Sequence, residues 1–478
     1  MKNLLDLSYS ERITQNINDL SISFIEKSFE NYSKGLEDIM NTFGLSRYFL
    51  SRIFDGGIVP TVTSLLEIER DITDGWLQVL YGQREFTDYY NEISNRVMAG
   101  SKYEKLMNTY GKELFGSAKF DGEKVLAQNN HLILYYIPPK NGVTPNGIAI
   151  FHAGGILPYS DKIFRFLPEA NFFERFTEKG FAIYSVELNG DKDTIKNYGE
   201  LTLEKYVDYL DEFSKIAFEH NGKQKMIIEG YCGLGMQAYA FLMAKPEVAE
   251  ERFKAAMTFV APIDGRKCEI LAEIMIKMPQ NLLLTHFTIA NLLGGGVVSG
   301  DSLRRTQDIA LRGFFPKTKF GRFITGWKAK DYANVNSIED LTPAQRKDLA
   351  GAYWISAENC NRYPVPVDLA RYSARLFRIG IADNGDLPYT YKGKKLSFAD
   401  LYKKTGLKLI GFYGAKDRLV PHQTAEILNK IFKDRYIHIV HENAGHISYV
   451  LSPEVWDKNN KKALVPNPIE EIVRVYNS

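Results

Sequence analysis

The chain has 478 residues with 60 Lys plus Arg against 58 Asp plus Glu, a net charge of +2 that gives no electrostatic case for a nucleic-acid partner. Its three cysteines, Cys232, Cys268 and Cys360, are too few and scattered for a disulfide framework and form no CxxC pair, so neither extracellular stapling nor a structural zinc site is expected. The length suggests two or three structural units, the cysteine usage suggests a reducing, cytoplasmic setting, and the polar and acidic residues of MKNLLDLSYSERITQN interrupt any secretory signal.

Residues 1–115 read as a helical N-terminal module, because apolar and aromatic residues recur at three and four spacing in SISFIEKSFENYSKGLEDIM and TDGWLQVLYGQREFTDYYNEI. Pro60 and the pair Gly56 and Gly57 are expected to separate its helices. Stripes of this kind ordinarily pack on a neighbouring domain; dimerisation or surface docking is the alternative use.

Residues 116–264 change texture. From about 130 onwards the short apolar runs HLILYYIP, GIAIFHAGG, GFAIYSVEL, KMIIEGYCG and FKAAMTFVAPID alternate with helical stretches such as LEKYVDYLDEFSKIAFEHNG. Continuous apolar strands separated by helices predict a mainly parallel sheet covered on both faces, in the order of an α/β hydrolase core. The turn in Phe151-His152-Ala153-Gly154-Gly155 is of the kind that aims backbone N–H groups at a developing oxyanion, with Ala153 and Gly154 as candidate donors and Gly233 as the second site.

Cys232 is the candidate nucleophile. It ends an apolar run, sits between Gly230-Tyr231 and Gly233-Leu234-Gly235, and opens a helix whose positive end favours a thiolate. A buried structural cysteine needs no flanking glycines, whereas a strained strand-to-helix elbow does. Leu234 stands two places on, where such elbows ordinarily carry a small residue.

Residues 265–400 lose the alternation and read as a cap insertion, with Cys268 and Cys360 in structural roles. Within it, NLLLTHFTIANLLGGGVV is broken by His286, Asn291 and three glycines, which argues for a buried helix and a glycine loop and against a membrane span. The sheet resumes in 401–478 with LKLIGFYGAKD and YIHIVHENAGH. Asp417, at the end of the first of these, is the candidate acid, with Asp264 the runner-up; His446, in the loop after the second, is the candidate base. His422, His438 and His441 lack that loop context. Nucleophile, acid and base thus follow one another along the chain in the order used by α/β hydrolases.

Together GYCGLG, GAKDRLVP and AGHISYVLSP resemble the GxCxGG, GxxDxxxP and GHxxxxxxP motifs of the polyhydroxyalkanoate (poly(3-hydroxybutyrate)) synthases, an α/β hydrolase-superfamily group, over roughly residues 130–455. The resemblance implies that Cys232 is acylated by a 3-hydroxyacyl-coenzyme A thioester, that His446 activates the thiol, and that Asp417 either orients His446 or activates the incoming hydroxyl. It implies no metal or bound cofactor, coenzyme A thioester and growing polyester as substrates, a homodimer or partner subunit, and a place in the cytoplasm or at a granule surface. Leu234 departs from the family's glycine doublet, and SVELNG lacks the tryptophan often found after that strand. Two other functions therefore stand beside acyl transfer to a hydroxyl: a cysteine-dependent thioesterase or esterase, and a non-catalytic granule-associated protein.

Overall fold

The computed structural model describes residues 51, 54–156, 160–190, 197–300, 318–355 and 363–478. They form two compact units, one drawn from the described residues of 118–300 and 363–478, the other from those of 51–117 and 318–355.

The first unit is built on an eight-stranded sheet. Its strands are β1 (Lys124–Gln128), β2 (Leu132–Ile137), β3 (Ala149–His152), β4 (Ala182–Leu188), β5 (Met226–Tyr231), β6 (Phe253–Phe259), β7 (Lys408–Gly414) and β8 (Tyr436–His441). The spatial order is β1-β2-β4-β3-β5-β6-β7-β8. β2 runs antiparallel to both β1 and β4, and every other neighbouring pair is parallel. All six residues of β5 are buried, as are six of seven in β6 and in β7, so both faces of the central sheet are covered. Helices make the crossovers: α1 (Phe172–Thr177) joins β3 to β4, α2 (Leu203–His220) joins β4 to β5, and α3 (Gly233–Ala244) follows β5. This order, with a single early reversal, is the α/β hydrolase fold expected from the alternating runs.

Local sequence explains the helices. The Thr202 hydroxyl caps α2 by accepting from the Lys205 N–H at 3.2 Å. Leu203, Tyr206, Val207, Leu210, Phe213, Ser214 and Ala217 then form one buried stripe. α3 differs: every residue from Leu234 to Ala244 is buried, so this helix is apolar all round and lies inside the core. α4 (Glu426–Phe432) crosses from β7 to β8, and α5 (Pro468–Asn477) closes the chain.

Two features of this unit were not anticipated. β1 is an edge strand with no buried residue, and KVLAQ lacks the apolar run that marks its neighbours. The 265–400 stretch also holds two small antiparallel pairs, Val297–Val298 with Val365–Pro366 and Asp386–Tyr391 with Lys394–Ser397. The apolar run at 281–298 does form a helix, Gln280–Leu293, followed by a glycine turn. It is not the buried helix expected, for only Phe287, Thr288 and Asn291 are buried and Leu293 is 84% exposed. Among the described residues no helix is long and apolar enough to cross a membrane.

The second unit is helical. Its main helices are Val59–Leu80, Phe86–Leu106, Lys319–Lys328 and Pro343–Ile355, so residues from the middle of the 265–400 stretch share a core with the N-terminal helices. SISFIEKSFENYSKGLEDIM lies outside the described residues. Pro60 does not separate two helices; it occupies the first turn of Val59–Leu80, where its missing N–H costs nothing, and Gly56 and Gly57 lie in a π-helical turn leading straight into it. Helices 86–106 and 319–328 cross on small residues. A Cβ added at Gly326 would lie 2.5 Å from the Ala99 carbonyl oxygen and 2.8 Å from the Gly100 Cα. Arg322 Nη1 donates to Glu104 Oε1 at 2.6 Å, and the Tyr103 and Tyr332 hydroxyls both donate to Asp348 Oδ2, at 3.0 and 2.6 Å.

Because that crossing has no room for a methyl group, Gly326→Ala should destabilise the chain by about 1–3 kcal/mol in denaturant titration. An unchanged midpoint would show that the helices need not approach so closely.

Candidate active site

The site is assembled at the carboxyl ends of the parallel strands. β5 ends at Tyr231, Cys232 forms the turn, and α3 starts at Gly233. Cys232 has φ 52° and ψ −126°, a conformation that costs a side-chain-bearing residue about 1–3 kcal/mol. Two hydrogen bonds hold it there: the Cys232 N–H donates to Phe259 O at 2.7 Å, and the Gly235 N–H donates to Cys232 O at 3.0 Å. The reversal is so tight that a Cβ at Gly230 would fall 2.7 Å from the Gly235 Cα, and one at Gly235 would fall 2.8 Å from the Ala261 Cβ.

The glycines of the elbow are therefore not equivalent. Gly230 and Gly235 are demanded by close approach, whereas a Cβ at Gly233 would meet nothing within 4 Å. Leu234 is accommodated because the tight contacts beside it involve its carbonyl oxygen and Gly235, while its side chain is buried. The small residue the turn needs sits three places after the cysteine.

Asp417 and His446 come from the loops after β7 and β8. His446 Nδ1 and Asp417 Oδ2 are 2.8 Å apart. Asp417 Oδ1 accepts from the backbone N–H groups of Leu419 and Val420 at 2.8 and 2.9 Å. The carboxylate is buried and every bond it makes fixes its orientation. Burial would push the His446 imidazole down, but the charge of Cys232 and the hydrogen bond and charge of Asp417 outweigh it and hold the group up at about 10. The Cys232 side chain is partly exposed. The ordinary imidazole value is 6.5, so the ring stays charged through neutral pH, while the stabilisation its protonation brings is complete below 6.5 and is lost progressively as pH rises from there through about 10.

The remaining candidates separate clearly. Asp264 is engaged elsewhere, its two oxygens accepting from Arg266 Nε and Nη2 at 3.0 Å each. His441 is buried between the Tyr449 hydroxyl and Pro466 O, each at 2.8 Å, and burial together with His422 pushes His438 down to about 4. Cys268 is buried, and burial joined by the charges of Cys232, Asp417 and Asp264 pushes its thiol well up, which leaves it an inert neighbour of the site. Cys360 lies outside the described residues. No group of His, Cys, Asp and Glu suited to a metal ion occurs among the described residues.

The candidate oxyanion donors need one correction. The Ala153 N–H donates to Glu229 O at 2.9 Å, closing the β3–β5 ladder, and is not free for a substrate. Gly233 lies at the first position of α3, where a helix N–H has no internal acceptor. The loop around Gly154 is tightly held: the Tyr206 and Tyr198 hydroxyls donate to Gly154 O and Gly155 O at 2.8 and 3.0 Å. Asp161 accepts from the Gly155 and Leu188 N–H groups at 3.0 and 2.9 Å, and burial followed by the charge of Glu187 raises its carboxyl to about 6. Behind the loop, His152 Nδ1 pairs with Glu229 Oε2 in full burial. Asp161, Tyr198, Tyr206 and Glu229 are not among the residues expected from the sequence; Glu229, a carboxylate three residues before Cys232 inside an apolar strand, is the one visible sign there that a buried partner exists.

No family model matches the sequence, and no curated protein matches it. Solved structures of low identity do. A monoacylglycerol lipase from Paleococcus ferrophilus is 11% identical with a TM-score of 0.37, the match covering 66% of this chain and 90% of that one. The carboxylesterase CesB from Bacillus subtilis is 13% identical with a TM-score of 0.36, covering 74% and 94%. A thioesterase domain from the curacin biosynthetic pathway is 10% identical with a TM-score of 0.37, covering 69% and 94%. Strand order and connectivity, rather than these likenesses, identify the fold of this chain.

Two measurements probe the geometry. Gly235→Ala should cost about 1–3 kcal/mol in thermal or denaturant unfolding while Gly233→Ala stays within about 0.5 kcal/mol of wild type; equal effects would refute the elbow described. Replacing Cys232 by Ala removes the foremost charge holding the imidazole up, so NMR titration of His446 should give a midpoint well below about 10; an unmoved midpoint would disconnect the two groups.

Proposed function

We propose that this chain is a thiol acyl-transfer enzyme, with Cys232 as nucleophile, His446 as its acid–base partner and Asp417 as the group that orients His446. The observation that carries the reading is the His446 imidazole, bound through Nδ1 to a fully committed carboxylate and raised to about 10 by the neighbouring cysteine. The cysteine and the carboxylate both favour the charged imidazole, the form that can pass a proton to a leaving group.

The chemistry follows from these charges. The Cys232 sulfur attacks the carbonyl carbon of an acyl thioester or ester, and the oxyanion is met by the Gly233 and Gly154 N–H groups. The bond from that carbon to the leaving sulfur or oxygen breaks as the imidazolium proton passes to the leaving group, which departs as thiol or alcohol. His446 then accepts a proton from the acceptor, water or an alcohol, as it attacks the acyl carbon; the bond from that carbon to the Cys232 sulfur breaks, the acyl group leaves as acid or ester, and the His446 proton is the one the released sulfur shares.

Hydrolysis is the acceptor chemistry this triad supports best. Asp417 is turned toward His446 and two backbone N–H groups, which suits an orienting role better than proton removal from a separate hydroxyl. Transfer to the 3-hydroxyl of a hydroxyacyl group is the second reading, favoured by the ordered likeness of GYCGLG, GAKDRLVP and AGHISYVLSP to the polyester synthases. The transfer reading takes coenzyme A thioesters as donors, the hydrolytic one thioesters or esters, and neither needs a resident cofactor.

A panel of acyl- and 3-hydroxyacyl-coenzyme A thioesters, followed by product analysis, tests the proposal. Thiol release should occur with wild type and fall by at least about 1000-fold in Cys232→Ala. Free acid identifies hydrolysis, and oligomeric ester identifies transfer. Release undiminished in Cys232→Ala, or no release from any donor, would overturn it, the latter in favour of a non-catalytic role.

A further inference from the structure

The residue just before the nucleophile also reaches the base. Tyr231 is the last residue of β5, buried at 6% exposure, and its hydroxyl donates to the main-chain carbonyl oxygen of His446 at 2.5 Å. The phenol ring has little freedom. It meets Phe164 and Phe172 edge-on with centroids 5.7 and 6.0 Å away, stacks on Phe259 at 6.0 Å and meets the His446 imidazole edge-on at 6.2 Å.

We propose that Tyr231 is a positioning residue for the acyl-transfer chemistry: its hydroxyl anchors the backbone of His446 to the strand that carries Cys232, fixing the distance between base and nucleophile. The inference rests on the thiol acyl-transfer reading of the site.

The need for such an anchor is mechanical. Asp417 fixes the direction of the imidazole but lies in the loop after β7, two strands away from β5. The rest of the histidine loop is tied to its own surroundings: the Lys416 N–H donates to Ala444 O at 3.0 Å, and the Gly445 N–H donates to Ser448 Oγ at 2.8 Å. None of these contacts involves the elbow. The Tyr231 hydroxyl is thus the hydrogen bond that ties the main chain of the base directly to the strand presenting the nucleophile. A displacement of about 1 Å between reacting groups costs about 100-fold in rate, which makes a rigid tie of this kind consequential. Burial and the nearby Tyr449, Asp417, Cys232 and Glu229 hold the phenol well above its ordinary value, so it stays a donor across the working pH range.

The test reads Cys232 without any substrate. The rate of iodoacetamide alkylation at Cys232, followed by peptide mass spectrometry from pH 5 to 10, is compared among wild type, Tyr231→Phe, Asp417→Asn and the double variant. Tyr231→Phe keeps the ring and its packing. It should move the alkylation profile to higher pH in the same direction as Asp417→Asn and slow alkylation at pH 7 by about fivefold or more. The double variant should show less than the product of the two single effects, because both act through one imidazole. A Tyr231→Phe profile superimposed on wild type would overturn the proposal even if that variant is less stable. Should Tyr231→Phe fail to fold, p-aminophenylalanine at position 231, a weaker donor, is read in its place: a profile displaced part-way toward Asp417→Asn supports the anchor, and one coincident with wild type contradicts it. Failure of the enzymatic reading shows separately, as thiol release undiminished in Cys232→Ala.

Discussion

The positive φ of Cys232 is the constraint from which the rest of the site follows. A cysteine at φ 52° is unfavourable, and it persists because β5, β6 and α3 leave it no other conformation. The turn reverses the chain so sharply that a side chain at Gly230 would run into Gly235, and it sets Cys232 at the N-terminus of α3, where helix N–H groups have no internal acceptor. Strain in the backbone is thus converted into presentation of the thiol, and the parallel strands on either side deliver the loops that reach it.

Electrostatics at the site come from opposition between burial and charge. His446 would be pushed toward neutrality by its surroundings, yet the cysteine on one side and the carboxylate on the other hold it protonated up to about 10. Asp417 keeps its place because Leu419 and Val420 saturate its second oxygen. The glycine loop after β3, the candidate oxyanion loop, is held by the buried Tyr198 and Tyr206 hydroxyls and by Asp161. The geometry of the candidate site is therefore fixed by the fold itself, which is what the proposed chemistry requires.

Much of this was legible in the sequence, for identifiable reasons. Central strands such as MIIEGY and KLIGFYG are buried on both faces and read as unbroken apolar runs, and the nucleophile, acid and base stand at the ends of such runs. What escaped lacks that signal. β1 has no buried residue, so KVLAQ carries no apolar run. The sharing of a core between residues 54–117 and 318–355 depends on long-range contacts at Gly100 and Gly326 that no local pattern announces. Leu234 looked like a defect in the elbow because spacing alone does not say which glycine meets which neighbour; Gly235 fills that need. Ala153 looked like an oxyanion donor because the ladder bond that uses its N–H is visible only once β3 and β5 are paired.

The central claim, that an acyl group rests on the Cys232 sulfur during turnover, is tested most directly by acid-quenching the enzyme milliseconds after mixing with an acyl-coenzyme A and mapping the adduct by mass spectrometry. The account predicts an acyl mass increment on the peptide containing Cys232 that is absent in Cys232→Ala and labile to hydroxylamine. Turnover with no such adduct, and with the alanine variant equally active, would contradict it.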